Sequence, residues 1–292
     1  MAQAARILKS LNRNDMAEDY LSRAKRAYDW GCNNKPETKD MKKFGEYAIS
    51  SRAYAAAQLF HTTANGTYHQ DFQKFTPWLK DASAKMITDD HSYDLSLAAF
   101  AYSMIPDNMA NRNLKDSVIR AIEGEVDMYI NGSEKMAYKF IRHPFAPITW
   151  GTGAYEHFLV PVWHAWGVTR NLKKRQSYFE WMVRTADNTL GANPMNISWI
   201  VGLGERTVRA PLHNSRYNPT GMCMPGQQVQ GPNQRGEGYN YSSTIYPPHD
   251  NSFAVMHTFV DCHWAIAMDE GTVIHQAQTM AAFGLLLGDK KQ

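Results

Sequence analysis

"NLKDSVIRAIEGEVDMYI", residues 113–130, decides the fold class. Leu114, Val118, Ile122 and Val126 recur every fourth residue, with polar and charged side chains between them. A helical turn of about 3.6 residues brings the four onto one stripe, so the stretch predicts an amphipathic helix with that stripe buried. The plan recurs on both sides. "DMAEDYLSRAKRAYDWG" (15–31) follows an Asn cap and runs to Gly31. "MKKFGEYAISSRAYAAAQLFHTTANG" (41–66) offers Tyr47, Tyr54, Leu59 and Phe60 to a core and stops at Asn65-Gly66. "SYDLSLAAFAYSMIPD" (92–107) is short and apolar and ends before Pro106. "AYEHFLVPVWHAWGVTR" (154–170) and "KKRQSYFEWMVRTADNTLG" (173–191) continue the series. No clean period-two alternation competes, so residues 1–190 predict helix after helix.

Residues 191–250 break the pattern. Gly, Pro and Asn are dense there, and the segment is too long for a plain connector. Trp199, Ile200, Val201 and Tyr246 predict that it is packed. Helical patterning returns in "SFAVMHTFVDCHWAIAM" (252–268) and "EGTVIHQAQTMAAFGLLLG" (270–288). Eight to ten helices in antiparallel pairs follow, with one long loop inserted before the last pair. Helical hairpins in series, without a fixed sequence period, predict an all-α toroid over a regular solenoid. Residues 1–292 read as a single domain.

Composition narrows the function classes. Hydrophobic residues are 43% and charged residues 20% of 292, which is ordinary for a globular protein. The net charge of +3 has no Lys/Arg cluster beside interleaved aromatics, which argues against nucleic acid. No apolar run reaches the ~20 residues of a membrane helix. Three cysteines, Cys32, Cys223 and Cys262, form no CxxC and no even framework, so free thiols are expected. The first residues, "MAQAARILKSLNRND", read as an amphipathic helix without the apolar core of a signal peptide. The 8 Trp, 15 Tyr and 12 Phe suit sugar faces as well as a core.

The loop itself carries the chemistry. "LGANPMNISWIVGLGERTVRAPLHNSR" (190–216) ends its helix at Asn193-Pro194, turns at Gly202 and Gly204, and delivers His213, Asn214 and Arg216 after a stiffening Pro211. "GLGERT" within it lacks the third glycine and the preceding strand of a phosphate loop. His257 and Asp261 are four apart, a metal-compatible spacing, but no third ligand is evident, and neither metal nor cofactor is expected.

The stretch 190–216 resembles the C-terminal half of glycoside hydrolase family 9, mostly cellulases. "ITWGTG" (148–153) is similar to that family's Trp-Gly-Ser-Asn helix start. "MPGQQVQGPN" (224–233) resembles its Pro-Gly-x-x-x-Gly-Gly-Pro-Asn, and residues 246–266 its terminal acid motif. The helix pair at the start resembles one from the middle of the family's domain. The resemblance implies an (α/α)6 barrel, incomplete in this chain, with a polysaccharide cleft across one end. It implies an extracellular or periplasmic location and glycosidic-bond cleavage of the endoglucanase kind. In that frame Trp150, His213, Asn214 and Arg216 bind sugar, Tyr246 joins the catalytic set, and His257 stands where the family has its acid glutamate. The family's Asp-Ala-Gly-Asp base motif is absent, and "TDDHSYD" (88–94) lies in the wrong place to replace it.

Two alternatives follow from those departures. Arg or Asn to neutralise a uronate, His as base and Tyr as acid are the residue types of a polysaccharide lyase. A catalytically inactive carbohydrate-binding or scaffold subunit is the other. An incomplete barrel also predicts a partner over its exposed apolar flanks: an N-terminal half, a second chain or a copy of itself.

Overall fold

A computed structural model describes residues 1–34, 38–87, 94–141, 156–212, 224–233, 254–263 and 265–288. Ten α-helices lie within them: α1 Ala2–Ser10, α2 Asn14–Asn33, α3 Thr38–Thr63, α4 Gly66–Phe75, α5 Ser96–Ser103, α6 Arg112–Ser133, α7 Glu156–Val168, α8 Leu172–Thr189, α9 Ile266–Asp269 and α10 Val273–Gly288. Among the described residues strand pairing is limited to isolated bridges. Two compact units divide the chain, Met1–Glu125 and Val126–Gln292.

The first unit is built on α3. Its face packs against α1, α2, α4 and α5, which is why Ala53, Ala56 and Ala57 lose all exposure. Small residues there let neighbouring backbones approach. Arg6 of α1 ties that helix to α3, donating to Gln58 O at 3.0 Å, Thr62 Oγ1 at 2.6 Å and Gln58 Oε1 at 2.6 Å. Rings fill the next layer. Phe72 lies flat on Tyr102 at 4.3 Å, and His69 on Phe60 at 4.5 Å. The Asn111 amide donates to the Tyr102 hydroxyl, whose oxygen lies 2.8 Å from His69 Nε2. An O–H that donates to Nε2 fits a neutral imidazole.

The stripe predicted in 113–130 is buried as expected: Leu114, Val118, Ile122 and Val126 are each at most 1% exposed. Leu59, Phe60 and Trp181 are buried too. Tyr54, Trp163 and Trp166 are half-buried. Trp264, and the side chain of Tyr47, fall outside the described residues. α2 departs slightly from its expected ends. It begins behind Arg13 with no side-chain cap and runs two residues past Gly31.

In the second unit α7 packs against α8 and α10. Asp127 anchors α8, receiving Lys174 Nζ at 2.8 Å and the Tyr178 hydroxyl at 2.7 Å. The Ile141 amide donates to Thr185 Oγ1 at 2.9 Å on the same helix. The stretch 252–268 is not the helix its pattern suggests. Val255–His257 is one 3-10 turn, 258–262 is irregular, and α9 has four residues. Tertiary hydrogen bonds explain the difference. Thr258 exchanges bonds with the Asn233 backbone, and Asp261 accepts from the Arg209 and Ala210 amides. Cys32 and Cys262 are free thiols, and Cys223 lies outside the described residues. Among the described residues no helix is long and apolar enough to cross a membrane.

Three histidines make stability depend on pH. Burial lowers the pKa of His61, His69 and His164, the last to about 4, and the positive charges of Arg6 and Lys115 add to the effect at His61. The folded values lie below the unfolded ~6.5, so below that pH the unfolded chain binds protons the fold refuses. Stability is therefore full above ~6.5 and falls as pH drops toward about 4. We expect the thermal midpoint to decline from pH 7 to pH 5, and His164→Gln to flatten that decline. A wild-type midpoint that holds constant over the range would contradict this.

Candidate functional site

The long loop begins where α8 ends, and its first task is to satisfy groups that no helix serves. Asn193, buried, performs it with one side chain. Its amide donates to Asn188 O and Ile197 O, both at 2.8 Å, and its oxygen accepts from the Met195 amide at 3.2 Å. The chain then doubles back. The Trp199 amide donates to Thr189 O at 3.0 Å, and the Val201 amide to Gln227 O at 2.8 Å. Trp199 anchors a cluster with Val201, Val208, Val229, Phe259, Ala265 and Met268. Its ring meets Phe259 edge-on at 4.9 Å.

Gly202 makes the reversal possible. Its φ of +76° belongs to the region L side chains avoid, and a Cβ there would press Pro225 at 3.4 Å. The returning chain is fastened at three points. The Asp261 carboxylate accepts from the Arg209 amide at 2.9 Å and from the Ala210 amide at 2.7 Å. The Leu212 amide donates to Asp269 O at 2.8 Å, and Gln227 Nε2 donates to Leu212 O at 3.0 Å. Leu212 thereby pairs in a parallel bridge with Glu270.

That bridge sets a carboxylate beside the loop. Glu270 is half-buried and extended, at the end of α9 and three residues before α10. Asp269, its neighbour, is fully buried and accepts from the Cys262 amide at 3.1 Å. The two acidic residues therefore differ in task. Asp269 braces the backbone inside, and Glu270 stands at the surface next to Leu212, the residue before His213.

Of the residues the sequence singled out, His257 lies in the described part. It is exposed, at the end of the 3-10 turn, with its amide bonded to Ala254 O at 2.8 Å. Thr258 beside it is bonded to Asn233 of the 224–233 segment. Trp150, His213, Asn214, Arg216 and Tyr246 lie outside the described residues. Sequence reading passed over Glu270. Its signal was available in an acidic dipeptide immediately ahead of the last long helix. Among the described residues no three His, Cys, Asp or Glu side chains gather as a metal would require.

Helices in series, with a loop-borne acidic site at the start of the last one, define a class that comparison with known proteins resolves. The model of glycosyl hydrolase family 9 matches residues 1–283. The chain belongs to that family. Among curated proteins no match is found. A metagenome-derived glycoside hydrolase family 9 endoglucanase is 18% identical, with a TM-score of 0.74 over 98% of this chain and 50% of its own. A single mutant of a thermostable endoglucanase from Alicyclobacillus acidocaldarius is 17% identical, with a TM-score of 0.74 over 98% of this chain and 53% of its own. The endoglucanase of the termite Nasutitermes takasagoensis is 15% identical, with a TM-score of 0.67 over 98% and 63%. The fold is thus of the (α/α)6 type expected from sequence, and the chain spans about half the length of the first structures it matches.

Asp261 makes the geometry testable. Removing its carboxylate takes away both acceptors that hold residues 209 and 210. Asp261→Ala should lower stability by about 1–2 kcal/mol, as loss of two bonds to a charged acceptor does. It should also hasten tryptic cleavage after Arg209 under native conditions. Unchanged cleavage at that bond would speak against the clamp.

Proposed function

We propose that this chain forms part of a glycoside hydrolase that cleaves glycosidic bonds in a polysaccharide in the manner of an endoglucanase, and that Glu270 is its general acid. The observation that carries the proposal is the pairing of Glu270 with Leu212, where the His213, Asn214 and Arg216 run begins. A carboxylic acid, uncharged when protonated, suits an oxocarbenium-like centre better than the imidazolium of His257.

The terminal motif of the family supports the same choice. Its pattern, Tyr-Val-Asp-Asp-x-x-x-Tyr-x-x-Asn-Glu-Val-Ala-Ile-Asp-Trp-Asn-Ala-Pro, fits residues 259–278 without a gap. Val260, Asp261, Glu270 and Ala277 are then identical to it. Starting instead at Tyr246 puts His257 on the glutamate and retains Tyr246 and Asp261. His213, Asn214, Arg216 and Trp150 keep their proposed roles as sugar contacts, the tryptophan as a stacking platform.

Inverting hydrolysis needs a second carboxylate ~6.5–9.5 Å from the acid to activate water. We place that base on a partner: an N-terminal half, a second chain or a further copy. Two apolar surfaces favour such a cover. In the first unit a groove of about 1090 Å³ runs along α1, α2 and α3, with Ile7 53% and Trp30 68% exposed at its walls. In the second unit, α10 exposes Val273 at 85%, Met280 at 77% and Leu287 at 70%, seven residues apart. Apolar faces of this kind mark interaction sites.

The test has two parts. Denatured intact mass of the native material should reveal a longer chain, or a second one beside the 33.2 kDa species. In that material Glu270→Gln should cut release of reducing ends from amorphous cellulose by roughly 10²–10⁴-fold. His257→Ala should leave the rate within a few-fold. Binding without product would favour the inactive subunit, and unsaturated uronate released from an acidic polymer would favour the lyase.

A further inference from the structure

Gln227 stands where three segments of the second unit meet. Its backbone belongs to the loop core: its carbonyl accepts from the Val201 amide at 2.8 Å, and the preceding Gly226 amide donates to Val201 O at 2.8 Å. Its side chain leaves that core and donates through Nε2 to Leu212 O at 3.0 Å. Leu212 is then held on both sides, since its own amide donates to Asp269 O. We propose that Gln227 is a positioning residue for the sugar site. It fixes the distance between Glu270 and the run that begins at His213, and Gly271 is the space through which it reaches.

Gly271 shows how closely that space is used. A Cβ on it would stand 2.7 Å from Gln227 Nε2, 3.0 Å from Gln227 Cγ and 2.8 Å from the Gln228 carbonyl. A side chain there would displace the amide or the Gln228 backbone. That backbone is itself locked to α10. The Gln228 amide donates to Gln276 Oε1 at 2.9 Å, and Gln276 Nε2 donates to Gln228 O at 2.7 Å. The lever therefore has a fixed base on the helix that follows Glu270, and its tip sets Leu212.

The choice of glutamine points the same way. Gln227 is 7% exposed, and among the described residues its Oε1 has no hydrogen-bond partner. A buried acceptor without a donor is unfavourable, and a leucine of similar reach would avoid it. The bond to Leu212 is what a leucine could not make.

The proposal rests on the assignment of Glu270 and residues 213–216 to the sugar site, and the test separates the two. Gln227→Leu and Gly271→Ala are made in the full chain with whatever partner accompanies it. Gln227→Leu should speed hydrogen exchange in the peptide spanning 209–216 by about tenfold, the loss of one modest hydrogen bond. Exchange at 198–201 and the thermal midpoint should hold. On amorphous cellulose it should raise KM about fivefold at constant kcat, because the sugar-contacting run moves and the acid does not. Gly271→Ala should instead lower kcat at constant KM. Unchanged exchange at 209–216 overturns the proposal, as does equal acceleration at 198–201, which would make Gln227 a packing residue. A fall in active fraction, with kcat and midpoint dropping together and KM constant in both variants, overturns it too. If the wild type neither binds nor cleaves cellulose, the sugar reading fails. The exchange data then decide alone whether Gln227 anchors Leu212.

Discussion

Backbone that is buried outside a helix has to find its hydrogen bonds from other segments, and this requirement organises the second unit. Residues 190–212 and 224–233 have no turn of helix to bond with. Their amides and carbonyls are met by Thr189, Asn193, Gln227, Asp269 and Thr258. Several of these partners lie far off in sequence, so satisfying the loop also joins the end of α8 to the start of α10. The Trp199 cluster fills the space that this network encloses.

Placement of the candidate acid is a consequence of that network. Glu270 has no elaborate cradle of its own. It lies next to Leu212 because the Asp269 carbonyl needs a donor and Leu212 supplies one. Asp261 contributes by the same logic, since a carboxylate that accepts from two consecutive amides holds the incoming strand at a set height. Groups that stabilise the unit and groups that would touch a sugar are thus adjacent residues in one short stretch. His257, at the surface on a 3-10 turn, is outside that chain of dependence.

What could be read from sequence follows the range of the interactions. The stripe through Leu114, Val118, Ile122 and Val126 is a local periodicity, and it is buried as expected. The packing of 190–212 was legible in Trp199, Ile200 and Val201, whose bulk has no place on a free loop. The irregular course of 258–262 was not legible. The spacing of Val255, Phe259 and Cys262 mimics a helix face, while the bonds that prevent one come from Asn233, Arg209 and Ala210. Those partners lie 25 to 52 residues away. Reading a helix there drew attention to a histidine on its supposed face and away from the carboxylate beyond it. Gly271 carried a signal as well, since a glycine directly behind an acidic dipeptide implies close approach by another backbone.

The proposed hydrolysis ties two features of the molecule together. Acid catalysis at a glycosidic oxygen gains little unless water is activated on the opposite face of the sugar, so a site with one well-placed carboxylate calls for a second body. Exposed apolar residues along α10, and separately along the groove beside α1, call for a cover on grounds of hydration alone. One complementary set of helices would meet both demands, bringing the base while removing apolar surface from water. Association of that kind would also exclude water from around Glu270. Exclusion strengthens every charge interaction within a cleft. The acid would then reach its working environment only in the assembled protein, which gives the chain's apolar surfaces a chemical as well as a structural reason to be there.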